Sequence, residues 1–161
     1  MNRLNVLRIG GVVVGFAFVI SAAARIVAQA DPHIGTWVLN VEKSKYAPGT
    51  TPKSQTSVYS AAGQGINVAT TTVNATGTIN TEYTATFDGK DHPVKGNPDW
   101  DTTALKRVDA RTIEFTRKKA GKIVQTARSV VAADGKSRTV TVTGVNAQGQ
   151  KLNTSSVWEK K

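Results

Sequence analysis

The chain contains no cysteine, only two histidines, and aromatic residues at 6% of its 161 positions. The absence of cysteine excludes disulfides, thiol nucleophiles, cysteine zinc sites and a lipid-modified N-terminal cysteine. A chain of this length fits one domain. The 39% hydrophobic and 20% charged content is typical of a globular protein and argues against wholesale disorder or a polytopic membrane protein.

Motifs for catalysis and metal binding are also missing. The chain has no H-E-x-x-H, nucleophile elbow, phosphate loop or dinucleotide fingerprint, and His33 and His92 lie far apart in sequence. Residues 88–101 concentrate oxygen donors that calcium accepts, but turns require the same residue types and the spacing matches no calcium loop. We therefore expect no cofactor, no metal and no enzyme activity, with a catalytic group assembled only in space as the open alternative.

The first 30 residues have the three parts of a secretory leader. Two arginines in residues 1–8 precede an apolar run over residues 9–24, and Ala28-Gln29-Ala30 follows as an A-x-A cleavage pattern. The run is shorter than the about 20 residues that a spanning helix needs. We expect a cleaved signal peptide at residues 1–30, a periplasmic or secreted bacterial domain at residues 31–161, and no stable membrane insertion after cleavage. A cut after Ala24 stays open, because Ala22-Ala23-Ala24 also has small residues.

Charge is uneven along the expected mature chain. Residues 31–102 contain 5 bases and 7 acids, whereas residues 103–161 contain 13 bases and 4 acids. A basic half attracts anions in general, including lipid headgroups and envelope polymers, although many basic faces are simply solvated. Nucleic-acid binding needs exposed aromatic residues among the bases, and this half offers mainly Phe115 and Trp158 at positions predicted to be buried. We therefore expect no nucleic-acid partner.

Short runs of Thr, Val, Ile and aromatic residues follow one another from residue 55 onward. In Thr78–Phe87, apolar residues alternate with polar ones, and this period of two predicts a half-buried strand. Asp88-Gly89-Lys90 and Asp134-Gly135-Lys136 read as hairpin turns, because Asp-Gly tolerates a positive φ. Ten candidate strands result: 35–39, 55–61, 65–73, 78–87, 92–94, 102–109, 112–119, 123–132, 138–146 and a last strand after residue 150.

Ten short strands joined in sequence order must protect their edges. Tight consecutive hairpins favour an up-and-down sheet that closes on itself. We therefore predict an all-β fold, a single antiparallel meander closed into a barrel of about 8–10 strands. The irregular stretch 42–54 is interpreted as a lid or end-plug between the first two strands.

Both ends of this meander resemble a known group of barrels. Gly35-Thr36-Trp37-Val38-Leu39 resembles the G-x-W opening of the calycins, the superfamily of lipocalins and fatty-acid-binding proteins. Val157-Trp158-Glu159-Lys160 resembles the close of the last strand in fatty-acid-binding proteins. The whole expected mature chain is most similar to a group of uncharacterised secreted bacterial proteins that share Lys43-Ser44-Lys45-Tyr46, Gly96-Asn97-Pro98-Asp99 and Asp134-Gly135-Lys136.

The resemblance implies a calycin-like barrel that holds a small hydrophobic or amphipathic ligand, with Trp37 packed across one end. Such a barrel is wide enough for one small ligand. Two features depart from the fatty-acid-binding pattern. Ser156 stands where those proteins place a carboxylate-binding arginine, and the two-helix lid is missing because residues 42–54 contain two prolines.

Three arginines share a strand face with apolar residues and are candidates for holding an anionic group inside the barrel: Arg117, Arg128 and Arg138. We favour Arg128, because it lies in the middle of its strand. The alternatives are a structural ion pair, an outward side chain, or an arginine that covers Trp37 as lipocalins often arrange. Tyr83, Trp158 and Ser156 are further candidates for the same cavity, with core packing as the alternative role of each.

Two functions therefore remain open from the sequence. The first is an exported, non-enzymatic binding protein with an internal site for a small amphipathic ligand, of which an anion is one form. The second is a packed barrel without a cavity that contacts anionic envelope components through its basic C-terminal half. The oligomeric state is not determined by the sequence.

Overall fold

The computed structural model describes residues 30–47 and 50–161, and the predicted leader lies almost entirely outside them. The described residues form ten strands: β1 Gly35–Lys45, β2 Ser54–Ala62, β3 Gly65–Asn74, β4 Gly77–Thr86, β5 His92–Pro93, β6 Thr102–Asp109, β7 Thr112–Lys119, β8 Lys122–Val131, β9 Ser137–Val145 and β10 Lys151–Lys160. These boundaries match most of the predicted ones within two residues, and the described part of the chain contains no helix.

All ten strands belong to one antiparallel sheet in the order β4-β3-β2-β1-β10-β9-β8-β7-β6-β5. The first and last strands are neighbours, since Trp37 pairs with Lys160 and Leu39 with Trp158. Isolated bridges from Glu82 to Lys95 and from Asp88 to Lys106 bring the two outer edges of the sheet together. The fold is therefore an all-β, nearly closed meander barrel, an architecture compatible with a calycin-like barrel.

Side chains alternate between the interior and solvent along most strands. On β4, Thr81, Tyr83 and Ala85 are buried while Glu82 and Thr84 are exposed, as the period of two predicts. The interior near the start of β1 is apolar, with Trp37, Ile66 and Leu105 fully buried. Burial of such side chains stabilises the fold by roughly 1.5–3 kcal/mol each.

Trp37 lies at this apolar end. Its indole Nε1 donates a hydrogen bond of 2.8 Å to the carbonyl oxygen of His33, and Lys160 Nζ lies 5.0 Å from its ring centroid. The Lys160 ammonium also donates to the carbonyl oxygen of Pro32 at 3.0 Å. The turn that precedes β1 is thereby held across this end of the barrel.

Polar groups also face the interior. Hydroxyl and amide groups pair across neighbouring strands, with Gln55 donating to Thr72 at 2.7 Å and Ser57, beside Trp37, bonded to Thr70 at 2.6 Å. These bonds satisfy groups that would otherwise be costly to bury. The barrel interior therefore combines apolar side chains with paired polar ones.

Two predicted features differ in the structure. β1 continues to Lys45 through an irregularity in its pairing with β10 after Asn40, so the predicted lid over residues 42–54 is partly strand. Asp88-Gly89 does not form a tight hairpin, because β4 and β5 are the two outer strands of the sheet and share no ladder. A turn-forming dipeptide marks a chain reversal, but it does not determine whether the flanking strands pair. Asp134-Gly135 does join two paired strands, β8 and β9.

Candidate functional site

Arg138 is an almost completely buried cation inside the barrel. Only 2% of its surface is exposed. The guanidinium carbon lies 4.3 Å from the ring centroid of Tyr59, 4.8 Å from that of Trp37 and 4.9 Å from that of Trp158. Three aromatic rings thus surround one positive charge, and their quadrupoles offset part of the cost of removing it from water.

The Arg138 guanidinium has no carboxylate partner among the described residues. Its Nε and Nη1 groups are buried and have no hydrogen-bond acceptor in that part of the chain. Aromatic faces stabilise the charge but do not accept these N–H bonds as an oxygen does, and each unmade bond to a buried charged group is expensive. The geometry leaves donors of Arg138 ready for an anion.

Arg117 is a second cation that points into the interior. It lies in β7 beside an irregularity in the β7–β8 pairing, and its guanidinium carbon is 4.6 Å from the ring centroid of Trp100. Nη1 donates to Gln125 Oε1 at 3.0 Å, whereas Nε has no acceptor among the described residues. Burial lowers the pKa of Arg117, and the opposing effects of Tyr83, Tyr59 and Asp99 are smaller.

Tyr83 lies close enough to both cations for each to act on its phenol. Burial raises its pKa well above the ordinary value and Tyr59 raises it further, while both Arg117 and Arg138 act to lower it. The Tyr83 and Trp100 rings meet edge to face, with centroids 6.0 Å apart and planes at 68°. We call Tyr59, Tyr83, Trp100, Arg117 and Arg138 the interior cluster.

The interior cluster has the chemistry of an anion-binding site. It combines two guanidinium groups and two phenols, and neither arginine forms an ion pair with a described carboxylate. A buried cation is normally paired with an opposite charge. An acidic group delivered by a ligand would supply the missing acceptor.

No protein-family model and no curated protein matches the chain. Among the described residues, no group of three His, Cys, Asp or Glu side chains is arranged to hold a metal ion. None of the described segments forms a helix long and apolar enough to cross a bilayer.

Arg128, the favoured candidate, lies on the outside of the barrel. Its side chain is 47% exposed, and Nη1 is 2.5 Å from Glu114 Oε1. The expected orientation is wrong, because the inner face of β8 carries Gln125, Ala127, Ser129 and Val131, while Val130 shares the outer face with Arg128. Val124 lies at the irregularity of the β7–β8 pairing and packs partly against the core. Small and polar residues face inward on β8, where Phe115 and Arg138 occupy much of the adjoining space.

The other sequence candidates lie inside the barrel. Trp158 is 6% exposed beside Arg138, and its indole Nε1 donates to Ser156 Oγ at 2.9 Å. The Ser156 hydroxyl in turn donates to the carbonyl oxygen of Val140 at 3.1 Å. Burial raises the pKa of Tyr46 to about 12, although a hydrogen bond with Ser156 opposes the rise. Ser156 therefore orders its neighbours, whereas Tyr83 and Arg117 belong to the interior cluster.

Sequence reasoning missed Tyr59, Trp100 and Gln125. Tyr59 alternates with exposed Val58 and Ser60 on β2, so strand parity could have found it. Trp100 lies in an irregular segment before β6 and is only 6% exposed, and no periodic pattern signals its burial. Gln125 is only 3% exposed, and it bonds to Arg117 of β7 and to the carbonyl oxygen of Val145 of β9.

Two concavities lie on the outside of the barrel. One, of about 220 Å³, crosses the outer faces of β7, β8 and β9 beside Arg128. The other, of about 420 Å³, lies at the apolar end and is lined by residues that include Ile34, Phe87 and Arg107. Neither is lined by a member of the interior cluster.

Proposed function

We propose that the chain is an exported, non-enzymatic β-barrel protein that binds a small amphipathic anion in its interior. Export rests on the leader pattern at residues 1–30 and places the domain in the periplasm or the medium. The calycin resemblance of Gly35-Thr36-Trp37 and of the last strand supports the same class. The acidic group of the ligand pairs with the guanidinium groups of Arg117 and Arg138. The apolar part of the ligand replaces the contact between the Tyr83 and Trp100 rings.

The observation that carries this proposal is the absence of a described carboxylate partner for Arg138 and Arg117. A buried arginine that served only for packing would leave its N–H groups without hydrogen-bond acceptors, at a cost of about 1–3 kcal/mol each. A bound carboxylate, sulfonate or phosphate forms those bonds, and the surrounding aromatic rings suit the apolar part of an amphiphile. The acidic group and the apolar part of such a ligand would therefore both have complementary protein groups in the barrel interior.

The three tryptophans of the chain report directly on this site. Trp37 and Trp158 contact Arg138, and Trp100 contacts Arg117. Titration with dodecanoate and with dodecanol, followed by tryptophan fluorescence, compares an anionic with a neutral chain of equal length. We expect dodecanoate to bind at least about tenfold more tightly, which corresponds to about 1.4 kcal/mol.

Arg117→Met tests the role of the inward cation, with Arg128→Met as the matched control on the adjacent strand. The first substitution is expected to abolish the preference for dodecanoate. The second removes an exposed arginine bound to Glu114 and is expected to leave that preference unchanged. Equal affinities of the two variants for dodecanoate, with both folded by circular dichroism, would contradict the proposal.

A second candidate function is favoured by how full the interior is. Six large aromatic side chains and two arginines project into the barrel, and both concavities given above are external. The basic C-terminal half would then contact anionic envelope components through exposed lysines such as Lys119, Lys122 and Lys151. The titration with dodecanoate and dodecanol separates the two functions, since this alternative predicts no preference for dodecanoate. It predicts instead that the protein binds anionic vesicles and that this binding weakens with salt.

A further inference from the structure

The barrel is closed unevenly around its circumference. Ten residue pairs join β3 to β4 and nine join β9 to β10. Between β4 and the β5–β6 pair, three backbone hydrogen bonds occur in the described chain: Glu82 N–H to Lys95 O at 3.0 Å, Lys95 N–H to Glu82 O at 2.9 Å, and Gly89 N–H to Leu105 O at 3.0 Å. We call this line of contact the seam.

The strand on the far side of the seam is too short to build a ladder. β5 consists of His92 and Pro93, and the proline has no N–H to donate. Side chains add only a few contacts across the seam, such as Asn97 Nδ2 donating to Thr81 Oγ1 at 3.0 Å and a 3.3 Å bond between Thr86 and His92. Segments with few backbone bonds open at lower free energy than fully paired strands.

Two members of the interior cluster, Tyr83 and Trp100, lie at the seam, and Arg117 contacts Trp100. Tyr83 is on β4, between the two bridged positions Glu82 and Asp88, and Trp100, which follows β5, meets the Tyr83 ring edge to face. The Arg117 guanidinium lies over the Trp100 ring. Separation of β4 from the β5 segment would therefore part Tyr83 from Trp100 and expose Arg117.

We propose that the seam opens reversibly in the folded barrel and is the route by which an anionic ligand reaches the interior cluster. The route rests on the proposed function, whereas the opening itself does not. A filled interior is then no obstacle to binding, because Tyr83 and Trp100 move apart with the strands that carry them. Exposed Lys95 and Lys106 border the seam and attract an approaching anion, although Glu82 and Asp88 oppose part of that attraction.

The absence of cysteine from the chain makes the proposal directly testable with an introduced disulfide. Glu82→Cys with Lys95→Cys places the two thiols on bridged residues across the seam. Asn67→Cys with Thr84→Cys is the matched control. These two exposed residues are paired between β3 and β4, so the disulfide joins β4 to its ladder partner and not across the seam. Each oxidised variant is compared with its own reduced form, so changes of charge cancel.

The measured quantity is the association rate of dodecanoate, followed by stopped-flow tryptophan fluorescence. We expect oxidation of the seam pair to slow association at least about tenfold, and oxidation of the control pair to change it less than about twofold, because only the first blocks strand separation. Equal rates in the oxidised and reduced seam variant, with the disulfide confirmed by mass, would overturn the route while leaving ligand binding intact.

Hydrogen exchange in the wild-type protein without ligand tests the opening separately. The amides of Glu82 and Lys95 are expected to exchange at least about tenfold faster than the ladder amides between β3 and β4. Equal protection of both sets would refute the opening. If no form of the protein binds dodecanoate, the proposed function and the route both fail, and the exchange rates still decide whether the seam opens.

Discussion

Strand parity predicts the orientation of some side chains correctly and of others incorrectly. Arg117 shares the inner face of β7 with Ile113 and Phe115, as the apolar alternation indicates. The same reasoning fails for Arg128, because β-branched valines are also common on the solvent face of a sheet. Two faces of similar hydrophobicity cannot be distinguished from one strand alone. The choice is made by partners on distant strands, which supply the large inward side chains.

Asp31 connects the turn before β1 to the barrel. Its carboxylate pairs with Arg107, whose guanidinium lies 4.0 Å above the Phe87 ring, and also accepts hydrogen bonds from the backbone and ring of His33. Burial acts to raise the pKa of Asp31, but the bonds from His33 and Arg107 outweigh it and hold that pKa well below its ordinary value. The ionised carboxylate is therefore favoured by folding.

Asp31→Asn is expected to lower the free energy of unfolding at pH 7 by about 1–2 kcal/mol, since it removes charged hydrogen bonds from a half-buried site. A depressed folded pKa contributes stability above the unfolded pKa, near 3.9, and this contribution is lost as the pH falls below it. The difference between wild type and variant should therefore shrink from pH 5 toward pH 2.

Urea unfolding across that pH range measures the difference for Asp31→Asn. Asp134→Asn is the control, because Asp134 is exposed and its bond from the Lys136 amide can be retained by an asparagine oxygen. A difference for Asp31→Asn that stays constant down to pH 2 would show that the carboxylate is not linked to folding through its ionisation.

At the scale of strands, most of the fold follows from the sequence. The limits of β6 and β7 match the predicted residues, since turns that contain Gly or Asp flank both runs. β5 and the segment through Trp100 do not follow from periodicity, because their contacts come from neighbouring strands and loops. The interior cluster was therefore only partly predictable. Tyr83 and Arg117 lie on regular strands, but Trp100 does not.

β9 approaches β8 closely at Gly144. This residue has a φ of +137°, and a Cβ placed there would overlap the carbonyl oxygen of Val124 and the Cα of Gln125. Only glycine combines that backbone conformation with so little space. The close approach lies beside Gln125, which accepts the hydrogen bond from Arg117.

Gly144→Ala is expected to destabilise the protein by about 3 kcal/mol or more, because strain in φ adds to overlap with the neighbouring backbone. Gly149→Ala is the control, since Gly149 also has a positive φ of 75° but open space around it. Its expected cost is about 1 kcal/mol from the backbone conformation alone. Similar midpoints of thermal unfolding for the two variants would contradict the role given to the close approach.

For the whole molecule, closure through β1 and β10 brings distant parts of the chain together. Lys161 N–H donates to the carbonyl oxygen of Thr36 at 2.9 Å, although 125 positions separate the two residues in the numbering. The sequence predicts this closure because ten strands in a meander must protect both outer edges. The position of the seam is not predictable in the same way, since it depends on the shortness of β5 and its neighbouring turns.

The start of β1 pairs with the end of β10, and the Lys160 side chain reaches Pro32, so the barrel is a suitable scaffold for circular permutation that joins residue 161 to residue 31. A short Gly-Ser linker joins these positions, and the new termini lie at the exposed Ala120-Gly121 turn. This permutant keeps every strand pair and loses only the covalent connection between β7 and β8. We expect this permutant to fold cooperatively, whereas one opened inside β7 between Ile113 and Glu114 fails to do so. Near-identical urea transitions for the two would show that connectivity matters less than strand pairing suggests.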